Sequence, residues 1–237
     1  MYAPEIDRAE MLRYLGYDAR QPDARTGQRI EAMLDRCKQE ARPAWRYAIA
    51  DLGILDGVPH LLPWGIPLPG KAITRHLAGA KKCAVLAVTL GLGAERALRT
   101  AQQRSIADAL LLDAAMSACV EAAADACSRE VAQEAARLGL RAGARFSPGY
   151  ADLPLCCQQI FESLLDMQKQ LGIHLTSGYL LLPQKSVTAF IGLFPDEPVI
   201  QESGCKTCAL CPECAYRKNG PCPSGRIGLK EESDVSL

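Results

Sequence analysis

SIADALLLDAAMSACVEAAADACSREVAQEAARL, residues 105–138, is the most regular stretch of the sequence. It is rich in alanine and holds no glycine or proline. Ser105 with Asp108 forms a helix start signal, and Gly139 forms a stop. An unbroken helix here spans about 50 Å at about 1.5 Å per residue. Such a helix is the spine of a domain, and its alanine face lets other elements approach closely. Upstream, Cys83–Leu90 reads CAVLAVTL, apolar almost throughout, as expected of a strand covered on both faces. It runs through Gly91 and Gly93 into a helix carrying Ala94, Leu98 and Ala101. The Gly91-Leu92-Gly93 turn lacks the third glycine of a nucleotide-binding loop at the required offset.

Working outward, residues 7–15 read as a short helix capped by Asp7, with Glu10 three residues later and Gly16 as its stop. A second helix covers about Thr26–Ala41, with Ile30, Met33, Leu34, Cys37 and Ala41 at helical spacing, and Pro43 ends it. Trp45–Ile54 reads as a strand. GVPHLLPWGIPLPG, residues 57–70, reads as an extended, turn-rich connection, followed by a short helix over Lys71–Leu77. Beyond the spine comes a basic, glycine-containing turn, then RFSPGYADLPL over Arg145–Leu155. Asp152 and Pro154 read as cap and first-turn residue of a helix carrying Leu155, Gln158, Gln159, Phe161, Leu164, Leu165 and Met167. Leu175–Leu182 and Val187–Leu193 read as two strands joined by a turn at Pro183–Lys185. There are no internal repeats. The mixed order predicts an α+β fold: a mixed, largely antiparallel twisted sheet with long helices packed on it.

Composition narrows the function classes. The 237 residues carry 27 basic and 27 acidic side chains, and 49% are hydrophobic, so the chain is globular and not disordered as a whole. Balanced charge argues against a nucleic-acid surface or a polybasic membrane patch. No uncharged apolar run approaches the ~18 residues of a membrane helix. The start, Met-Tyr-Ala-Pro-Glu-Ile-Asp, does not read as a signal peptide, so the expected compartment is the cytoplasm.

Cysteine usage is uneven. Five of the 11 cysteines, Cys205, Cys208, Cys211, Cys214 and Cys222, fall in one short segment. Free thiols clustered this way read as metal ligands before they read as disulfides. Four of them in C-x-x-C-x-x-C-x-x-C suit zinc or a four-iron cluster. The run is not the full bacterial ferredoxin pattern, one thiol is spare, and a tail that forms no site is the other reading. Cys37, Cys83, Cys119 and Cys127 read as small core residues. Cys156 and Cys157 face different directions and do not share an ion. His60, His76 and His174 are isolated and read as surface or core residues, and Trp64 as a packing residue. The domains expected are residues 1–200, a cysteine-rich tail at 201–228 and a polar end at 229–237.

Arg145-Phe-Ser-Pro-Gly149-Tyr150 carries the second chemical signal. An arginine fork holds a carboxylate bidentately, Pro148 and Gly149 shape a tight turn, and Tyr150 can stack on a flat ring or donate a hydrogen bond. These suit a ligand with an amino-acid end and an aromatic end. An ordinary loop, with the arginine paired to a surface acid, is the competing reading.

RFSPGYADLP resembles the R-x-x-x-G-Y signature of the adenosylmethionine-binding activation domain of cobalamin-dependent methionine synthase. The likeness extends to IDRAEMLRYLGY, to the strand ending in VTLG, to the long alanine-rich helix and to LTSGYLLLPQKSVTAFIGLFP. It also includes the closing cysteine run, which resembles free-standing members. The resemblance implies that the domain binds S-adenosylmethionine and docks over a cobalamin-carrying domain whose cobalt has been oxidised. One-electron reduction, from a flavodoxin-type donor, and methyl transfer from the sulfonium then restore methylcobalamin. It implies that Arg145 grips the ligand carboxylate, with Gly149 and Tyr150 beside it. Glu121 matches a family acid near the ligand, or is a solvated helix-face charge. Asp7 matches a family aspartate contacting the ligand amino group, or is a helix cap; the two roles are compatible. The family's motif is often followed by Pro-Ala-Cys-Pro, here Ala151-Asp152-Leu153-Pro154. With no homocysteine, folate or cobalamin module in the sequence, the expected role is reactivation of a separate corrinoid protein, not complete methionine synthesis. Two alternatives stand beside it: an iron–sulfur redox activator of another corrinoid methyltransferase, and a non-catalytic adenosylmethionine-sensing module.

Overall fold

The computed structural model describes residues 6–17 and 21–195. The cysteine run and the domain boundary expected at residue 200 lie outside them. In chain order the elements are α1 (Arg8–Tyr14), α2 (Ala24–Glu40), β1 (Ala44–Leu55), β2 (Val58–Leu62), β3 (Ile66–Pro67), α3 (Lys71–His76), β4 (Lys82–Thr89), α4 (Gly91–Arg104) and α5 (Ile106–Arg137). They continue with β5 (Leu140–Phe146), a 3-10 turn (Leu155–Cys157), α6 (Gln158–Leu165), α7 (Met167–Leu171), β6 (His174–Leu175), β7 (Leu181–Leu182) and β8 (Ser186–Pro195).

The apolar run of β4 is explained by what covers it. Strand side chains alternate between faces. Ala84, Leu86 and Val88 pack with α1, α2, α4 and α5; Cys83, Val85 and Ala87 pack with α3, α6 and α7. Phe161 of α6 meets Phe190 of β8 at 4.6 Å between ring centroids in the second layer. The sheet order is β3-β2-β1-β4-β8-β5, with every neighbouring pair antiparallel. The expected α+β architecture with an antiparallel sheet is therefore the observed one.

The spine is α5. Ser105 Oγ accepts from the Asp108 N–H at 3.2 Å, which is the start signal at work. Ala114, Ala115, Ala118, Ala123 and Ala124 are buried along it, and α5 lies against β4, β1, β8 and β5. Among the described residues no helix is long and apolar enough to cross a membrane.

Four sequence expectations are corrected. Residues 57–70 are not a bare connection but contain β2 and β3, which extend the sheet beyond β1. The basic turn after α5 is strand β5, created by pairing with β8. Residues 175–182 are not one strand. A turn in which Thr176 N–H bonds to Leu180 O and Tyr179 N–H to Thr176 O folds them into the β6–β7 hairpin. Asp152 does not cap the helix that follows it. Its carboxylate accepts from the Lys71 and Ala72 N–H groups at 2.6 and 3.0 Å, capping α3 from a distance, and the following segment starts as a 3-10 turn. Two of these corrections, β5 and the Asp152 cap, have deciding partners remote in sequence, where long-range pairing overrides local propensity; the other two are local hairpins whose turns the residue pattern did not reveal.

The Gly91–Gly93 turn has a packing explanation. Gly91 has φ +77°, and a Cβ on Gly93 would sit 2.5 Å from Glu40 O, where α4 crosses the end of α2. Gly93→Ala is expected to destabilise by about 1–3 kcal/mol, lowering the melting temperature by about 2–4 °C per kcal/mol. Gly27→Ala, in α2 with open space around the new methyl, is expected to stabilise by about 0.5–1 kcal/mol. Thermal melts of the two variants check both signs.

Candidate functional site

β5 and β8 are out of step by one residue. Ala142 opposes Leu193 and Arg145 opposes Ile191, so three steps on β5 match two on β8. This is a β-bulge, a device that re-aims side chains. In a regular ladder continuing from Arg141 opposite Phe194, Arg145 would oppose Phe190 and face the second layer. The bulge turns it over. Arg141 lies 5.8 Å from the Phe194 ring centroid, whereas Arg145 faces α5.

There its Nη2 donates to Glu121 Oε2 and Asp125 Oδ1, each at 2.9 Å. Glu121 and Asp125 are four residues apart on one helix face, where two like charges repel. One guanidinium offsets both. The Arg145 side chain is 21% exposed, Glu121 33% and Asp125 55%. Arg145 Nη1 is buried with no hydrogen-bond partner among the described residues. The fork thus has one nitrogen held by two acids and the other buried without an acceptor among the described residues.

A third element closes on this cluster. α1 packs against α5. Burial first, then the Glu121 and Glu10 carboxylates, push the Tyr14 phenol up to about 12. Arg13 lies 4.7 Å above the Tyr14 ring and bonds Glu10 through Nε at 3.1 Å.

The predicted residues are distributed as follows. Arg145 and Glu121 are brought into contact. Gly149 has φ +88° and donates to Leu153 O, while Tyr150 N–H donates to Ser147 O, so the turn after the strand is tightly bonded. Tyr150 is exposed and meets Phe146 edge-on at 6.0 Å. Phe146 points to the second layer, so Tyr150 does not touch Arg145. Asp7 caps α1 by accepting from the Ala9 N–H at 2.8 Å, and no contact joins it to Arg145 among the described residues. Asp125 and Tyr14 were missed. The i, i+4 spacing of Glu121 and Asp125 could have found the first; nothing local points to the second. Among the described residues no group of three or more His, Cys, Asp or Glu could hold a metal. Cys205, Cys208, Cys211, Cys214 and Cys222 lie outside them.

A family model described as "Vitamin B12 dependent methionine synthase, activation domain" matches residues 73–198, just over half of the chain. The chain belongs to this family. The matched span holds β4, α5, β5 and β8, hence Glu121, Arg145, Gly149 and Tyr150; Asp7 lies before it. The solved MetH reactivation domain bound to AdoHcy has a similar fold. It is 14% identical, with a TM-score of 0.59 over 81% of this chain and 75% of that one. No curated protein sequence matches the chain.

Tyr14 supplies a test of how α1 is buried against α5 beside the acids. A phenol whose pKa is raised by folding contributes stability that is whole below its ordinary value of about 10 and is lost as pH rises to about 12. Denaturant melts between these values are expected to fall less steeply with pH in Tyr14→Phe than in the wild type. Parallel slopes would place Tyr14 away from Glu121 and Glu10.

Proposed function

We propose that this activation-family domain binds S-adenosylmethionine at the Arg145–Glu121–Asp125 cluster and supports reductive methylation of oxidised cobalamin on a separate corrinoid protein. One observation carries the reading. Arg145 has a buried, unpartnered Nη1 beside two carboxylates. A buried cationic donor without an acceptor is costly, and a ligand carboxylate relieves it. The adjoining acids accept an ammonium or face a sulfonium. An α-amino acid carrying a further positive charge fits both halves. The ligand of the similar reactivation domain, AdoHcy, is the product such a methyl donor leaves.

In this reading a flavodoxin-type donor supplies one electron to the corrinoid substrate. The sulfonium carbon–sulfur bond then breaks as the methyl–cobalt bond forms, and the thioether departs. The domain's own work is to hold the methyl donor in line and exclude water. Gly149 and Tyr150 form the tight turn that follows Arg145, with the exposed Tyr150 ring against Phe146; a place for them beside the ligand is what the family resemblance implies. Asp7 enters through α1, whose other end carries Tyr14.

The cysteine run is the second part of the proposal. Cys205, Cys208, Cys211 and Cys214, with Cys222, have the spacing for zinc or a four-iron cluster. A cluster would favour the redox-activator reading. Elemental analysis of anaerobically purified protein is expected to give one zinc or about four irons per chain, lost on Cys208→Ser with Cys211→Ser. Metal-free protein with all five thiols titratable would remove this part.

Calorimetric titration tests the main reading. S-adenosylmethionine is expected to bind at one site, and Arg145→Ala to weaken it by roughly ten- to hundredfold, the loss of one charge-assisted hydrogen-bond set. Arg145→Lys, which lacks the planar fork, should restore little. Absent binding, or equal binding by Arg145→Ala, would overturn the assignment. Tight binding without methylation of reduced cobalamin would select the sensing module instead.

A further inference from the structure

We propose that α3 braces the Arg145–Tyr150 segment, and that His76 is the positioning residue that aims Arg145 at α5. This rests on the reading of Arg145 as a ligand-binding residue.

The bulge that turns Arg145 over has to be held against a simple alternative. Slipping β5 by one residue would restore a regular ladder and carry Arg145 to the other face of the sheet. The bulged register leaves Gly143 and Ala144 out of the pairing. A carbonyl released from a ladder needs a donor. His76 supplies it: its Nε2 lies 3.0 Å from Ala144 O, so the ring carries its proton on Nε2 and donates. The same ring packs 5.0 Å from the Phe146 ring, the residue after Arg145. His76 therefore holds the chain on both sides of Arg145. Burial lowers the imidazole pKa, which favours the neutral ring.

The opposite end of α3 is tied to the same segment further on. Asp152 caps it at Lys71 and Ala72. The junction is close: a Cβ on Gly70, which has φ +136°, would meet Asp152 O and Oδ1 at 3.1 Å. Between these ties α3 spans about 9 Å at about 1.5 Å per residue and is anchored by buried Ile73, with Leu77 just beyond its end. A packed helix thus grips the motif before and after residues 145–150. This bracing explains the placement of a histidine and an aspartate that otherwise have no part in the site.

The test uses His76→Leu, His76→Gln and Asp152→Ala. Glutamine can place an amide donor near the Nε2 position; leucine cannot donate. Three quantities are read: S-adenosylmethionine affinity by calorimetry, the Arg145 Nε–H resonance of the ligand-free protein, and the melting temperature. A displacement of about 1 Å can cost up to two orders of magnitude. His76→Leu is expected to weaken binding by about tenfold or more and to shift the Arg145 resonance, with His76→Gln restoring both to within about threefold of wild type. Asp152→Ala, at an exposed position, should shift the resonance in the same sense and carries the test if His76→Leu does not fold. An unmoved Arg145 resonance with unchanged affinity in His76→Leu and Asp152→Ala would overturn the brace. So would His76→Gln behaving like His76→Leu. If the wild type does not bind S-adenosylmethionine, the functional proposal falls, and the Arg145 resonance alone still judges the brace.

Discussion

The close approach of α5 to the sheet is the constraint on which the rest depends. A 32-residue helix can lie along a sheet at short range only if its inner face is small, and here that face is largely alanine. Close approach lets Glu121 and Asp125 reach an arginine on the edge strand. It also gives α1, α2 and α4 a common surface to pack on. Substituting larger residues along that face would push the acids away from Arg145 as well as disturb the core, so packing and site geometry are one problem in this fold.

The site is built from opposing tendencies. Two carboxylates one helical turn apart repel, and a single guanidinium nitrogen holds them. The other nitrogen is buried and unmatched among the described residues. An unpaired buried donor costs stability, and in the proposed reading a ligand carboxylate would recover that cost. Binding sites commonly carry such local debits.

Elements governed by neighbouring residues were legible in the sequence. The Ser105 start and Gly139 stop of α5, the Asp7 cap of α1, the periodicity of α2 and the two-sided apolar run of β4 all appear where local pattern puts them. What depended on distant partners was not legible. β5 exists because β8 pairs with it, and Gly143 in Leu-Arg-Ala-Gly-Ala-Arg-Phe reads as a bulge signal only once the segment is known to be a strand. Asp152 looked like the cap of the next helix because the amide groups it serves lie about 80 residues earlier. Arg145 and Glu121 were legible as chemistry, through charge type and a family resemblance. Tyr14 and His76 were not, since a lone aromatic or histidine says nothing about which carboxylate or carbonyl it will meet.

The remote cap on α3 orders events during synthesis. Lys71 leaves the ribosome 81 residues before Asp152, a delay of roughly 4–16 s at about 5–20 residues per second. Over that interval the first turn of α3 has water in place of its cap, and a helix of six residues has little stability of its own. α3 therefore completes its fold only when the motif arrives. A nascent chain cut short before residue 152 would hold α3 and the turn at residues 147–150 but not the carboxylate that joins them.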